Sequence, residues 1–186
     1  IQYISTINDF EYDMQDKILK MQQRALTDRA LISPDRLLRT DLNNIEKPNF
    51  FATNTIGDTI TFASRKGTYN VTEEYIEAED INYIRIADAL IQPEKGKITI
   101  GRRAKINQLE NAMVAINNRH LLHSAKINIE STKKYSGSGV YDYIMDENKE
   151  ISNISFSELR VDTMTTSAKG YIPASQNFML SPAFTF

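Results

Sequence analysis

At Asp58 the hydrophobic periodicity of this 186-residue chain changes, and the change restricts the folds open to it. Before it, Phe10, Met14, Ile18, Met21 and Ala25 recur at spacings of 4, 4, 3 and 4, which places them on one helical face. After it, apolar residues alternate: Ile60 with Phe62, Ile84 with Ile86, Ile98 with Ile100. That is the two-residue period of a strand with one buried face. The apolar centres Tyr69, Ile76, Ile84, Ile91, Ile98, Ile106 and Met113 fall seven or eight residues apart. A strand of about four residues and a turn of about four fill that interval.

Short, evenly spaced strands build a sandwich, a closed roll or a solenoid. The trio Ala-x-(Ile/Val) recurs at Ala89, Ala104, Ala112 and Ala125. A small residue beside a β-branched one lets successive layers approach closely, which favours a stacked arrangement. The expected fold is therefore mainly β: stacked short strands, a β-solenoid or roll, over residues 46–186, with a helical hairpin over residues 1–45. In that hairpin Asn8 caps a first helix running to residue 32. Asp9, Glu11 and Asp13 precede Lys20, Arg24 and Arg29, the order a helix dipole favours. Ser33 then caps and Pro34 opens a shorter helix, with Leu37 and Leu38 facing inward. Asn43-Asn44, Pro48-Asn49 and Gly57-Asp58 mark a connector, and Phe50-Phe51 plugs the junction. Residues 106–118 suit a helix through Ile106, Leu109, Met113 and Ile116, or strands; the strand reading is preferred. Further along, Val140 to Ile144 and Ile151 to Phe156 read as a hairpin across the polar turn Asp146 to Lys149. Strands are also expected at residues 158–161, 167–172 and 178–180, punctuated by Pro173 and Pro182.

Charge is balanced, 22 basic against 24 acidic residues, net −2. No basic excess points to nucleic-acid binding. The chain has no cysteine, which excludes disulfides and thiolate chemistry. No apolar run reaches the roughly 20 residues of a membrane-spanning helix. The chain opens at Ile1 and stops within an alternating Phe184-Thr185-Phe186, so a segment of a longer protein is expected.

Few residues invite chemistry. The two histidines, His120 and His123, are too few for a zinc site without further ligands. No Gly-x-Ser-x-Gly elbow supplies a nucleophile. Gly137-Ser138-Gly139 is too short to cradle phosphate and reads as a flexible kink leading a strand. No cofactor and no metal are expected, and no enzymatic activity. Glu73, Glu74, Glu77, Glu79, Asp80 and Asp88 could pair as glycosidase carboxylates, but acidic residues on a strand's wet face are ordinary. The candidate recognition set is Lys133, Lys134, Tyr135, Tyr141 and Tyr143, because tyrosine faces beside cations stack on sugar rings. The same tyrosines would also make a cross-strand ladder.

Four stretches carry a resemblance: Gly57-Asp58-Thr59-Ile60-Thr61-Phe62, Ile86-Ala87-Asp88-Ala89-Leu90-Ile91-Gln92-Pro93, Tyr135-Ser136-Gly137-Ser138-Gly139-Val140-Tyr141-Asp142-Tyr143 and Phe178-Met179-Leu180-Ser181-Pro182. Over about residues 50–186 they resemble a segment of long envelope proteins of Bacteroidota-type bacteria. That resemblance implies a periplasmic or cell-envelope setting and no particular chemistry. The short strands with alanine near an inner face are also similar to the OstA/LptA-like jellyroll of lipopolysaccharide transport, which would imply an open apolar interior; the N-terminal helices depart from it. The expected role is a non-enzymatic structural or partner-binding segment of a larger bacterial cell-envelope protein. Its partners would be other domains of the same chain or other envelope proteins. The alternatives are a carbohydrate-binding or carbohydrate-active module, with a glycan as ligand, and a lipid-transfer roll.

Overall fold

The computed structural model describes residues 3–23, 30–43, 45–55, 57–144, 151–172 and 183–185. Along the chain they form β1 (Tyr3–Ser5), β2 (Asp9–Asp13), β3 (Ile18–Gln22), α1 (Pro34–Leu38), β4 (Phe50–Thr53), β5 (Thr59–Phe62), β6 (Lys66–Asn70), β7 (Tyr75–Glu79), β8 (Ile84–Ile86), β9 (Ala89–Gln92), β10 (Ile98–Gly101), β11 (Lys105–Ile106), β12 (Leu109–Ile116), β13 (His120–Ser131), β14 (Lys134–Ile144), β15 (Ile151–Asp162), β16 (Thr165–Tyr171) and β17 (Ala183–Thr185). The protein is mainly β. One sheet has eleven strands in the order β1-β4-β5-β8-β9-β12-β13-β14-β15-β16-β17, and the other six in the order β11-β10-β7-β6-β3-β2.

Every described pairing is antiparallel. Neither a solenoid nor a closed barrel is shown. Much of the pairing joins strands adjacent in sequence through tight turns, and antiparallel partners are what such short connections permit. The recurring alanines are nonetheless buried, Ala89, Ala112 and Ala125 completely. They thin the core between two sheets; they do not stack coils.

The N-terminal helical hairpin is not supported. Residues 9–22 form the β2–β3 hairpin, with Phe10 opposite Met21 and Tyr12 opposite Leu19. The turn explains the difference. The backbone N–H groups of Gln15 and Asp16 donate to Asp13 Oδ1 at 2.9 and 3.0 Å, and Lys17 takes a left-handed φ of 55°. An aspartate that bonds the backbone two residues on competes with helix and makes a turn. Those N–H groups also hold the Asp13 carboxyl below its ordinary range. Asn8 therefore precedes a strand and caps no helix. Arg24, Ala25, Leu26 and Arg29 lie outside the described residues, as do the expected turn at 146–149, the expected strand at 178–180, and Pro173 and Pro182.

The second helix is present but short. Ser33 Oγ accepts from Arg36 N, and Pro34 opens α1. Its Leu37 is fully buried with Leu90 and Ala115, on the face of the large sheet that turns away from the main core. Gln92, nearly buried, donates from Nε2 to the carbonyls of Ile32 and Asn82, both at 3.1 Å. It thereby ties the approach to α1 onto β9. The segment before residue 46 is also stitched into both sheets, through β1 on β4 and β3 on β6. Residues 106–118 are strand throughout their regular part, as β11's end and β12. Phe50 stacks on Phe62, with ring centroids 5.5 Å apart, and both belong to the core.

His120 sits partly under Tyr141, its ring edge-on at 5.7 Å. Burial, and secondarily Arg119, push its pKa below the ordinary histidine value of 6.5. The unfolded chain then binds the proton more readily than the folded one, so stability is complete above about 6.5 and declines as pH falls below it. The thermal midpoint is expected to drop between pH 7.5 and 5.5, and His120→Gln to shrink that drop.

Candidate binding cleft

The register of the smaller sheet sets two inner rows. One runs Phe10, Met21, Gly67, Ala78, Ile98; the other Tyr12, Leu19, Tyr69, Ile76, Ile100, Ile106. Read from β11 outward, these rows leave the core. Ile106, Ile100, Ile98, Ile76 and Ala78 are buried, and Tyr69, Leu19 and Met21 half-buried. Phe10 and Tyr12 are 70% and 47% exposed. The apolar face of β2–β3 thus overhangs the cover that the larger sheet provides.

Beneath the overhang lies a cleft of about 590 Å³. Leu19, Met21, Tyr69 and Ile76 form one wall, and Tyr3 and Phe50 the other. Phe50 is 2% exposed and closes the floor. Tyr3 and Tyr69 pack against each other at its edge, with centroids 6.4 Å apart and the rings tilted at 52°. Burial raises the Tyr3 phenol above its ordinary value, and its hydroxyl donates to the Gly101 carbonyl. That bond ties β1 to the turn from β10 to β11, which carries Arg102 and Arg103 to the cleft's mouth. Arg102 Nε meets Glu74 Oε2 at 2.8 Å.

The recognition set read from the sequence is not brought together. Strand alternation sends Tyr135, Tyr141 and Tyr143 toward the core and leaves Lys134 on the opposite face. Tyr135 is fully buried, and its hydroxyl bonds Thr166 Oγ1 at 2.7 Å. Desolvation pushes its pKa well above the ordinary phenol value. A ring enclosed this way stacks on no sugar. Tyr141 and Tyr143 are partly buried against the same core. Lys134 pairs with Glu130 at 2.6 Å. Lys133 lies on the β13–β14 turn, beside a separate hollow of about 350 Å³ with Arg85 and Glu46. Of the five, the lysines are solvated and the tyrosines structural.

Four of the six acidic candidates, Glu74, Glu79, Asp80 and Asp88, have other partners. Glu79 meets Lys97 at 2.6 Å, Asp80 meets Lys66 at 3.7 Å and Glu74 meets Arg102. The Glu79 contact raises the Lys97 pKa. Asp88 accepts from Thr166 N at 2.8 Å and from Asn117 Nδ2 at 3.1 Å. His123 joins a relay, with Nδ1 3.1 Å from Ser124 Oγ and Nε2 3.0 Å from Asp142 Oδ1. Ser124 and Asp142 are both exposed. Among the described residues no group of acidic or histidine side chains could hold a metal, and no helix is long and apolar enough to cross a membrane.

On β2–β3 a two-residue period overlaps the helical spacing of Phe10, Met14, Ile18 and Met21, which hides Leu19 and Met21 as cleft residues. Leu19 and Met21 alternate, as Phe10 and Tyr12 do, and that pattern was available. No family model, curated protein or solved structure matches the chain.

Proposed function

We propose that this chain is a non-enzymatic binding segment of a larger bacterial cell-envelope protein, and that it binds through the cleft under the β2–β3 overhang. One observation carries the reading: the inner rows of the smaller sheet stay apolar past the point where the larger sheet covers them, out to Phe10 and Tyr12. Uncovered apolar surface of this kind is costly in water and marks sites of contact. A hollow of about 590 Å³ lies within the range of small-molecule sites, roughly 300–1,000 Å³. The envelope setting rests on the resemblance of residues 50–186. The glycan alternative loses its anchor with Tyr135 inside the core. A lipid conduit would need a through-going interior, and Phe50 with Ile76 favours holding a ligand over passing it along.

The test uses Nile red, a neutral dye whose emission reports an apolar site. It is expected to bind at one site per chain, and Met21→Asp is expected to weaken it about tenfold or more, since a carboxylate in an apolar wall must be desolvated. A thermal melt confirms that the variant is folded, and the milder Leu19→Ser serves if it is not. Unchanged dye affinity in a folded cleft variant overturns the reading.

A further inference from the structure

We propose that the occupant of the cleft is a long-chain carboxylate, its alkyl body against Leu19, Met21 and Tyr69 and its head on Arg103. The inference rests on the cleft reading above and adds the class of ligand. Apolar walls select a hydrocarbon body, and the mouth selects the head. Arg102 is already engaged by Glu74. Arg103 makes no hydrogen bond or ion pair among the described residues. Two arginines against one glutamate leave a single net positive charge at the rim. A monoanion matches that charge, and a carboxylate matches the planar fork of a guanidinium with two parallel hydrogen bonds. A phosphate monoester would bring nearly two negative charges at neutral pH.

The backbone argues in the same direction. Arg103 and Ala104 adopt left-handed φ angles of 61° and 56° in succession. Glycine or asparagine suits such positions, and a residue with a Cβ is strained there. A turn that carries arginine at a strained position, and is tied down by the Tyr3 hydroxyl, holds the guanidinium at the mouth at a cost in stability.

The experiment titrates the intact chain with dodecanoate, dodecyl phosphate and the neutral dodecyl maltoside by calorimetry, each below its micelle-forming concentration. Dodecanoate is expected to bind one per chain, about tenfold or more tighter than the maltoside, and to weaken as salt rises. Arg103→Gln should remove most of that preference and leave the maltoside unaffected. Arg103→Gly should raise the melting temperature while lowering dodecanoate affinity, opposite signs that a merely damaged fold does not produce. Equal binding of dodecanoate and maltoside overturns the head-group assignment and leaves the cleft reading standing. Tighter binding of the phosphate overturns the monoanion. Binding of none of the three overturns both readings together.

Discussion

Gly137→Ala is expected to destabilise the fold by about 3–5 kcal/mol, and Gly137→Val to leave the chain unfolded. A Cβ built on Gly137 would lie 2.0 Å from the Lys126 carbonyl oxygen and 3.0 Å from Ile127 Cδ1. The first of these neighbours is backbone. Relieving the clash would part β13 from β14 at Ile127↔Gly137, where the two strands pair. The next glycine in the strand is a built-in control. A Cβ on Gly139 would meet Leu122 Cδ2 at 3.2 Å and Ala125 Cβ at 3.3 Å, and side chains can shift by a few tenths of an ångström. Gly139→Ala should therefore cost about 1 kcal/mol, the lower end for an overpacked site. Urea unfolding of the two variants side by side measures the difference. Equal costs would show that the strand tolerates the Gly137 methyl and that the contact with Lys126 opens easily. Gly137-Ser138-Gly139, which reads as a flexible kink leading a strand, lies inside β14, where Gly137 backs onto the Lys126 carbonyl and the register with β15 shifts before Gly139.

Asp88→Ala is expected to cost about 3 kcal/mol, because it leaves the N–H and the hydroxyl of the buried Thr166 without their partner at once. Asp88 is in the turn between β8 and β9. Its carboxylate accepts from the Thr166 N–H and hydroxyl and from Asn117 Nδ2. Thr166 is 4% exposed and shares its hydroxyl with the buried Tyr135. Asp58 repeats the device one hairpin earlier: Oδ2 accepts from Thr132 N at 2.6 Å and Oδ1 from Thr132 Oγ1 at 2.7 Å. Both aspartates follow a residue at positive φ, Gly57 at 83° and Ala87 at 51°. Each pins a turn of the early strands to the later ones, Asp58 to the β13–β14 turn at Thr132 and Asp88 to the start of β16 at Thr166, 74 and 78 residues away. A double-mutant cycle of Asp88→Ala with Thr166→Val should show a coupling of more than about 1 kcal/mol. Additive effects would mean that the two halves are held by the sheets alone.

Most of the β-strands were legible. Thr59–Phe62, Ile84–Ile86, Ala89–Gln92 and Ile98–Gly101 stand where alternation and turn residues placed them. Ser33 and Pro34 open a helix, as their pairing implies. Each of these signals acts within a few residues, so tertiary contacts had only to agree with it. Phe10, Met14, Ile18 and Met21 failed as a guide because their spacing fits a helical stripe as well as two short strands around a four-residue turn. The Asp13 carboxylate decides for the turn, and pairing of β3 with β6 secures it. Tyr135 failed for another reason. Alternation puts Tyr135, Tyr141 and Tyr143 on one face, but alternation does not say which face meets the core.

By itself the sequence determined a mainly β chain, the places of the short strands beyond Asp58, and a row of small alanines among them. It also marked the Asp58 turn through Gly57, whereas Ala87 before Asp88 carries no such mark. Only the tertiary structure decided that the strands pair into two antiparallel sheets, that Tyr135 points inward, and that β2–β3 projects beyond the larger sheet with Arg102 and Arg103 beside it. The physical reason is range. Period, turn and cap energies depend on neighbours a few residues away. Which face is buried, and where one sheet stops covering another, depends on contacts as far apart as Tyr3 and Gly101, and no local pattern encodes them.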